Sequence, residues 1–463
     1  MLVFDERVLL IHPGPFDQLG LGFYGRGRMH PPWGIIYVHH ALKRVGIDSW
    51  PVDLNGVCDV ESAVEGLVSR YRPTVVGLTG KWGRAARRAS RIVTRLREVE
   101  PGIRLALGGP LASSIPDSHP LSTGVDARLP GDGEIQLPRW IEAGKPDLAG
   151  QAWPTSEEAD LDEIGLDIGE TPDLGEYCLP GDRCDLRTES LYVSAARGCI
   201  ARCTFCYLRT HYPERFRVVS PLRLVDGLAA LQERYDVNGF YFIDDCLISD
   251  RTWTRSFCSE LRARHLSFLW GVDIRLAEMT LERLREIFLA GCRCLYVGIE
   301  SFDEEVLRPL RKGQTLTEGL PGLDLALSMG FTVRASLVIG WPGQSAMSME
   351  RTLEGISARP DLLFDAFQYL PLPGTPLARE ALAAGTKADV FSEYDASAPN
   401  VSAVDDDTLS KYWHRMTALR DRRNDRSVAG VFSNPKDTRP THAGEPDSEC
   451  GVTSCPVTPA SRV

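Results

Sequence analysis

The densest chemistry in this chain is Cys199-Ile-Ala-Arg-Cys203-Thr-Phe-Cys206, directly after Arg197-Gly198. Three thiolates at this spacing hold three corners of a [4Fe–4S] cluster and leave the fourth iron open to a substrate or cofactor. The competing chemistry is a structural zinc site, with Cys184 or His211 as the fourth ligand. Zinc sites favour two paired knuckles, and no second C-x-x-C occurs. Carboxylates follow two apolar runs, Asp244 and Asp245 after Phe240-Tyr-Phe-Ile243, and Glu300-Ser301 after Cys294 to Ile299. They suit a cationic ligand, and Arg275 suits a carboxylate. The plainer alternative for each is a helix cap or a surface ion pair.

These residues sit at the ends of a repeating strand–helix pattern. Leu191-Tyr-Val-Ser194 reads as a strand, and Pro221 to Tyr235 as a helix. Strand Phe240 to Ile243 and helix Arg251 to His265 follow. Phe268 to Ile274, Cys294 to Ile299, Thr332 to Ile339 and Phe364 to Leu370 are further strands with helices between them. In the helix from Thr280, Leu281, Leu284 and Phe288 share one face. Strand–helix units in this number predict a partial (β/α)6 barrel, whose reactive end is the carboxyl face of its strands.

An earlier series has its own register. Strands are expected at Val8 to Ile11, Ser49 to Leu54, Thr74 to Leu78, Arg104 to Leu107 and Gly124 to Leu129. Helices are expected at Gly34 to Val45 and Arg84 to Val99. This predicts a doubly wound parallel sheet, which binds ligands at the strands' carboxyl ends. Gly108-Gly109-Pro110 and Gly131-Asp-Gly-Glu134 lie at two such ends. The fold class is therefore α/β, with boundaries expected at 1–150 for the sheet, 151–188 for an acidic surface linker and 189–385 for the barrel. A helical extension is expected over 386–433, including a helix from Leu409 to Arg423, and a disordered tail over 434–463.

The CxxxCxxC loop, with Phe205 before its last cysteine, resembles the radical S-adenosylmethionine (SAM) superfamily. Ile243-Asp244-Asp245 is similar to that family's motif near the methionine amino group. Gly298-Ile-Glu300-Ser301 is similar to its ribose and methionine contact, and Val338-Ile-Gly340-Trp-Pro-Gly343 to the turn near adenine. Leu370-Pro-Leu-Pro-Gly-Thr-Pro376 resembles the segment closing the sixth strand. The resemblance covers residues 189 to 380. It implies Cys199, Cys203 and Cys206 on a [4Fe–4S] cluster, and SAM held by Phe205, Asp244, Asp245, Arg275, Glu300, Ser301, Val338 and Gly340. Trp341 and Tyr207 would wall the adenine or the substrate.

Residues 7 to 140 resemble the cobalamin-binding domain that precedes many radical SAM proteins, through Val8-Leu-Leu-Ile-His-Pro13, Pro31-Pro-Trp-Gly-Ile35, Gly108-Gly109-Pro110 and Val125-Asp126. Cobalamin's phosphate would lie near the Gly108 and Gly109 turn. The D-x-H-x-x-G motif of many cobalamin proteins is missing. Asp117-Ser-His119 lacks the glycine, and His12 and His30 lack the context.

The resemblance implies a radical enzyme for natural-product or antibiotic biosynthesis. Cobalamin-dependent C-methylation of a small molecule is the first expectation, and dehydration of an aminoglycoside-type sugar with a reductase partner the second. A non-catalytic cofactor carrier is a third. An electron donor such as flavodoxin or ferredoxin is also implied. With 52 basic against 63 acidic side chains the formal charge is −11, which disfavours nucleic acid as a partner. No apolar run approaches the roughly 20 residues of a membrane span. The charged start disfavours export, so a cytoplasmic protein is expected, and its twelve cysteines point to metal or redox chemistry rather than disulfides. Cys246, Cys258, Cys292 and Cys294 lack ligand spacing and read as core residues, while Cys450 and Cys455 fall in the tail.

Overall fold

A computed structural model describes residues 6–14, 30–154, 158–164, 173–179, 186–212, 216–383, 385–386 and 398–429. In chain order the first unit comprises β1 (Arg7–His12), α1 (Trp33–Arg44), β2 (Asp48–Asp53), α2 (Val60–Tyr71), β3 (Val75–Thr79) and α3 (Arg84–Val99). Then come β4 (Arg104–Gly108), α4 (Pro110–Ser114), α5 (Pro120–Thr123), β5 (Ala127–Arg128) and α6 (Gly133–Glu142). The strands pair in the order β2-β1-β3-β4-β5, every pair parallel. Such a sheet is covered on both faces, and β1 shows why its four central residues must be apolar. Leu9 and Ile11 pack with Val64, Ile92 and Leu96, whereas Val8 and Leu10 pack with Ile35, Leu42 and Trp140. The strand order reverses between β1 and β3, so their carboxyl ends frame a crevice.

The second unit follows the short α7 (Leu161–Ile164). It begins with β6 (Ser190–Val193), β7 (Ala196–Arg197), α8 (Leu208–His211), β8 (Arg217–Val218), α9 (Pro221–Tyr235) and β9 (Gly239–Phe242). It continues with α10 (Arg251–Ala263), β10 (Leu269–Arg275), α11 (Leu281–Leu289), β11 (Cys292–Glu300), α12 (Glu304–Leu310) and α13 (Leu316–Ser328). Last come β12 (Thr332–Ile339), α14 (Ala346–Ser357), β13 (Leu363–Gln368), α15 (Pro376–Ala383) and α16 (Asp406–Ala429). Strands β6, β9, β10, β11, β12 and β13 lie side by side in sequence order, all parallel, as a curled half-barrel. On β12, Val333, Ala335, Leu337 and Ile339 are buried under the helices, leaving Arg334, Ser336 and Val338 on the concave side.

Three expectations change. The fifth strand of the first unit shrinks to two residues, because the Asp126 carboxylate itself takes the Leu105 amide and the Arg97 and Arg104 guanidinium groups. The segment read as a surface linker contributes Leu161, Ile164, Leu174 and Tyr177 to the same core as the barrel. The helix expected from Leu409 runs from Asp406 to Ala429. Cys184, Cys450 and Cys455 lie outside the described residues.

Helix α1 joins the two units. Trp33 and Tyr37 are buried in the barrel's core, Trp33 donating to the Tyr192 carbonyl (2.9 Å) and Tyr37 to that of Ser194 (2.7 Å). No helix among the described residues is long and apolar enough to cross a membrane.

Candidate functional site

The three cysteines occupy a loop that leaves β7 at the carboxyl end of the half-barrel. Antiparallel pairing of β7 with β8 closes that loop at its base. Thr204, in its middle, is clamped from two sides. Its amide donates to the Leu310 carbonyl (2.9 Å), its hydroxyl to that of Pro309 (3.0 Å), and its own carbonyl accepts the Leu377 amide (3.0 Å). Cys203 is buried, and Cys199 and Cys206 are half-buried.

Asp244 sets where the loop starts. One carboxylate oxygen accepts from the Ser194 hydroxyl (2.9 Å) and the Ala196 amide (3.0 Å), the other from the Ala195 amide (2.7 Å). Sequence reasoning placed Asp244 on the ligand; the structure engages both oxygens in holding the chain between β6 and β7. Burial pushes its pKa up to about 6 against the opposing pull of those hydrogen bonds. The unfolded group titrates near 3.8, so between 3.8 and about 6 the folded protein keeps a proton that the unfolded chain has lost. Stability therefore falls as pH rises through that window and levels off above it. Asp244→Asn should reduce this slope in urea unfolding followed across the window, leaving the part that Asp245, raised over the same range, contributes. Asp244→Ala, which strands two buried amides, should cost about 1–3 kcal/mol per amide at any pH.

Glu300 ends β11 across a register shift, with φ of +72°. That backbone conformation is costly for a residue with a side chain and persists only where its surroundings impose it, as at ligand clamps. Its carboxylate is buried and pairs with Lys312, which also donates to the Gly298 carbonyl (2.7 Å). A Cβ on Gly298 would come within 2.2 Å of Lys312 Nζ, so a side chain there would have to displace the head of this pair. Arg275, at the end of β10, donates to the Lys312 carbonyl (2.8 Å) and leaves a buried Nε–H without a partner among the described residues. Lys312 and Arg275 both act on the Cys203 thiol, opposing the burial that pushes it up to about 11. Cys199 is drawn down to about 7 by a hydrogen bond with Cys246, while burial pushes Cys206 up.

The donor set fits a three-thiolate [4Fe–4S] cluster. Three thiols share one clamped loop, and two cations, buried Lys312 and half-buried Arg275, stand by to offset the thiolate charge. Among the described residues no three His, Cys, Asp or Glu side chains surround one point as a single ion requires. A cubane asks for something else, one thiolate on each of three separate irons. His211, a candidate fourth zinc ligand, hydrogen-bonds Ser113 (3.0 Å) instead, and His119 caps α5.

The remaining expected residues divide. Phe205 meets Trp341 edge-to-face at 5.2 Å, and Trp341 meets Tyr369 at 4.8 Å, an aromatic wall beside the cysteine loop. Tyr207 turns the other way, against Trp82 of the first unit at 4.8 Å. Val338 lies on the concave side of β12, half-buried. Gly340 takes φ of +80° and gives its amide to Gln344 (2.8 Å). Ser301 is fully buried and bonds Thr352 (3.0 Å), so its hydroxyl serves the start of α12 rather than the barrel mouth.

Between the units lies a cavity of about 230 Å³ that both sheets line. His12, Thr79, Lys81 and Gly109 come from the first, and Gly198, Ile243, Asp244 and Asp245 from the barrel. Lys81 and Asp245 are both exposed and line this cavity. Desolvation lowers the Lys81 pKa while Asp245 pulls it back, and raises that of Asp245 to about 6. A narrow slot of about 90 Å³ also reaches into the first unit, between Leu10, Ile35, Leu78, Ala106 and Leu137, with Gly108, Gly109 and Gly131 along it. Gly109 has φ of +72°, and a Cβ there would lie 2.7 Å from Thr79 Oγ1. The slot's apolar walls and glycine turns let an elongated ligand approach the backbone closely.

Arg197 ties the slot to the cysteine loop. It lines both cavities, donates to buried Glu134 (2.6 Å) and to the Tyr212 hydroxyl (3.2 Å), and lies over the Tyr37 ring. Arg197→Ala leaves Glu134 buried without its cation, which should cost about 3–5 kcal/mol. Thermal unfolding by calorimetry should then resolve into two transitions, against one expected for the unmutated protein.

Sequence reasoning missed Lys312, Lys81 and the contact between Cys246 and Cys199. None carries a spacing signal, since each pairing is made by the fold.

Residues 193–356 match the family model described as Radical SAM superfamily. The chain is 27% identical over 419 residues to the anaerobic magnesium-protoporphyrin IX monomethyl ester cyclase of Rubrivivax gelatinosus, covering 83% of this chain and 71% of that one. It is 21% identical over 378 residues to an uncharacterized methyltransferase of Pyrococcus horikoshii, covering 77% and 80%. Its fold superposes with a TM-score of 0.65 on the radical SAM methyltransferase TsrM of Kitasatospora setae, solved with cobalamin and a [4Fe–4S] cluster. That match is 16% identical and covers 83% of this chain and 76% of that one. These relatives lend no support to the dehydratase expectation or its reductase partner. Radical SAM enzymes use a [4Fe–4S] cluster, SAM and an electron donor, and this chain carries a radical SAM domain over residues 193–356 and is an enzyme.

Proposed function

We propose that the enzyme is a cobalamin-dependent radical methyltransferase acting on an unactivated carbon of a small molecule. The observation that carries the reading is the shared cavity, walled at once by the carboxyl ends of β1 and β3 and by the segment after β9. A methyl donor on the first sheet and a hydrogen-abstracting group on the barrel would there face one substrate.

Together the bound groups supply a 5′-deoxyadenosyl radical that takes hydrogen and a methyl group that replaces it. The chain's own residues bind and orient. Cys199, Cys203 and Cys206 hold the cluster, and Asp244 and Thr204 fix their loop. Glu300 meets the cationic or hydroxyl face of SAM, and the Arg275 Nε–H its carboxylate. Phe205 and Trp341 wall the adenine and keep water from it. Gly108 and Gly109 let the corrin's tail approach the backbone. Residues 1–150 are assigned to the corrin unit, 189–385 to the radical unit and 386–433 to a C-terminal extension, whose α16 packs on β13. Flavodoxin or ferredoxin supplies the electron.

The test is anaerobic incubation of reconstituted, reduced enzyme with SAM carrying a deuterated methyl group, cobalamin and a panel of candidate substrates. A substrate that gains the label only when cobalamin is present supports the reading. A protein that cleaves SAM but retains no corrin would sink it.

A further inference from the structure

We infer that the solvent side of the cysteine loop is the docking surface for the electron donor, a small acidic protein carrying a flavin or an iron–sulfur cluster. The inference rests on the cluster reading above and adds the surface and the charge that it selects.

The loop that carries Cys199, Cys203 and Cys206 is open to solvent on one side. Ile200, directly after Cys199, is 49% exposed, and Arg202, directly before Cys203, is exposed. Thr204 determines what surrounds them. Its amide and hydroxyl go to Leu310 and Pro309, and its carbonyl takes the Leu377 amide. The last turn of α12 and the first turn of α15 therefore both abut the loop, and each brings arginine. Arg308 and Arg311 flank Pro309 and Leu310, and Arg379 lies two residues after Leu377. All three are exposed, and among the described residues their side chains have no hydrogen bond or ion pair. With Arg202 they surround two exposed apolar side chains, Ile200 and Pro309. The exposed acids of the two helices are Glu380 and, at the far end of α12, Glu305.

The whole chain carries a formal charge of −11, so a generally basic surface does not account for this gathering of arginines. An apolar centre within a polar rim, rich in arginine, is the common plan of a protein interface. Interfaces for electron transfer are small, below about 1,200 Å² in total, and complementary charge steers the partners together. The step itself asks only for close approach. One electron leaves the donor's reduced cofactor and one enters the cluster that the three thiolates hold, with no bond made or broken between the proteins. Ile200 adjoins Cys199, so a donor seated here lies one residue from a cluster ligand.

The test compares reductants on full-length, cluster-loaded protein with SAM, reading 5′-deoxyadenosine. Reduced methyl viologen is a small cation that needs no docking surface. Flavodoxin, held reduced by its NADPH-dependent reductase, and reduced ferredoxin are the protein donors. Arg308→Gln, Arg311→Gln and Arg379→Gln together should lower kcat/KM for flavodoxin by about tenfold or more at low salt, mainly through KM. The viologen-driven rate should not fall. Added salt should slow the flavodoxin reaction of the unmutated protein and close the gap between the two proteins. An equal loss with viologen would mean that the arginines serve the fold, and overturns the inference. So does a triple variant that keeps the flavodoxin rate, or an unmutated protein that viologen drives and neither protein donor does. No 5′-deoxyadenosine from the unmutated protein with any reductant overturns the cluster reading and this inference with it.

Discussion

Cys203→Ala should reduce SAM cleavage to the level of enzyme-free controls while leaving the first unit folded. Cys203 is the buried member of the trio, and the Thr204 clamp beside it uses main-chain and hydroxyl groups that the substitution leaves intact. The loop should therefore keep its path while the cluster loses one of its three protein corners. Iron and sulfide analysis after anaerobic reconstitution should fall well below four per chain, and 5′-deoxyadenosine should vanish from the reaction mixture. The far-ultraviolet circular dichroism should not change, because β1 to β5 and their helices make no use of this thiol. Cleavage at the unmutated rate would mean that the three thiols do not serve as the cluster's ligands.

Glu300→Gln should carry the second-largest effect. The glutamine keeps the shape and the positive-φ backbone but removes the charge that answers Lys312. A buried ammonium left without its partner costs about 3–5 kcal/mol, much more than a surface pair would. The loss should appear as a lowered denaturation midpoint. Because Lys312 also donates to Gly298 and its carbonyl receives Arg275, the end of β11 and the loop after α12 should loosen together. SAM affinity, measured by equilibrium dialysis on the cluster-loaded protein, should weaken at least tenfold, about 1.4 kcal/mol. Glu300→Gln combined with Lys312→Met removes both charges and should recover much of the stability without recovering SAM binding. That split separates the fold's use of this pair from the ligand's.

Much of the scaffold was legible because local rules agreed with the global fold. The bounds expected for α3, α9 and β12 match the structure. Legibility failed where a side chain intruded on the main chain. Asp126 took ladder hydrogen bonds and shortened β5, and the acidic stretch after residue 150 hid apolar residues spaced too irregularly to show a face. Helix α6 was missed because it opens on Gly133 and carries Pro138 within. At the site, the cysteine trio is compact in sequence and so was visible. The Glu300–Lys312 and His12–Asp53 pairs were not, because they arise from a strand end meeting a loop and from two strand ends in register. Asp244 shows a third kind of failure, in which the residue was found but its role as loop anchor depends on amides that only the fold brings near.

The central claim is that this chain cleaves SAM by reduction at the Cys199, Cys203 and Cys206 loop. Mass-spectrometric quantification of 5′-deoxyadenosine, from anaerobically reconstituted protein with SAM and a strong reductant, tests it most directly. 5′-Deoxyadenosine should form with the intact loop and be absent from the Cys203→Ala protein. Fully cluster-loaded protein that binds SAM yet yields none would contradict it.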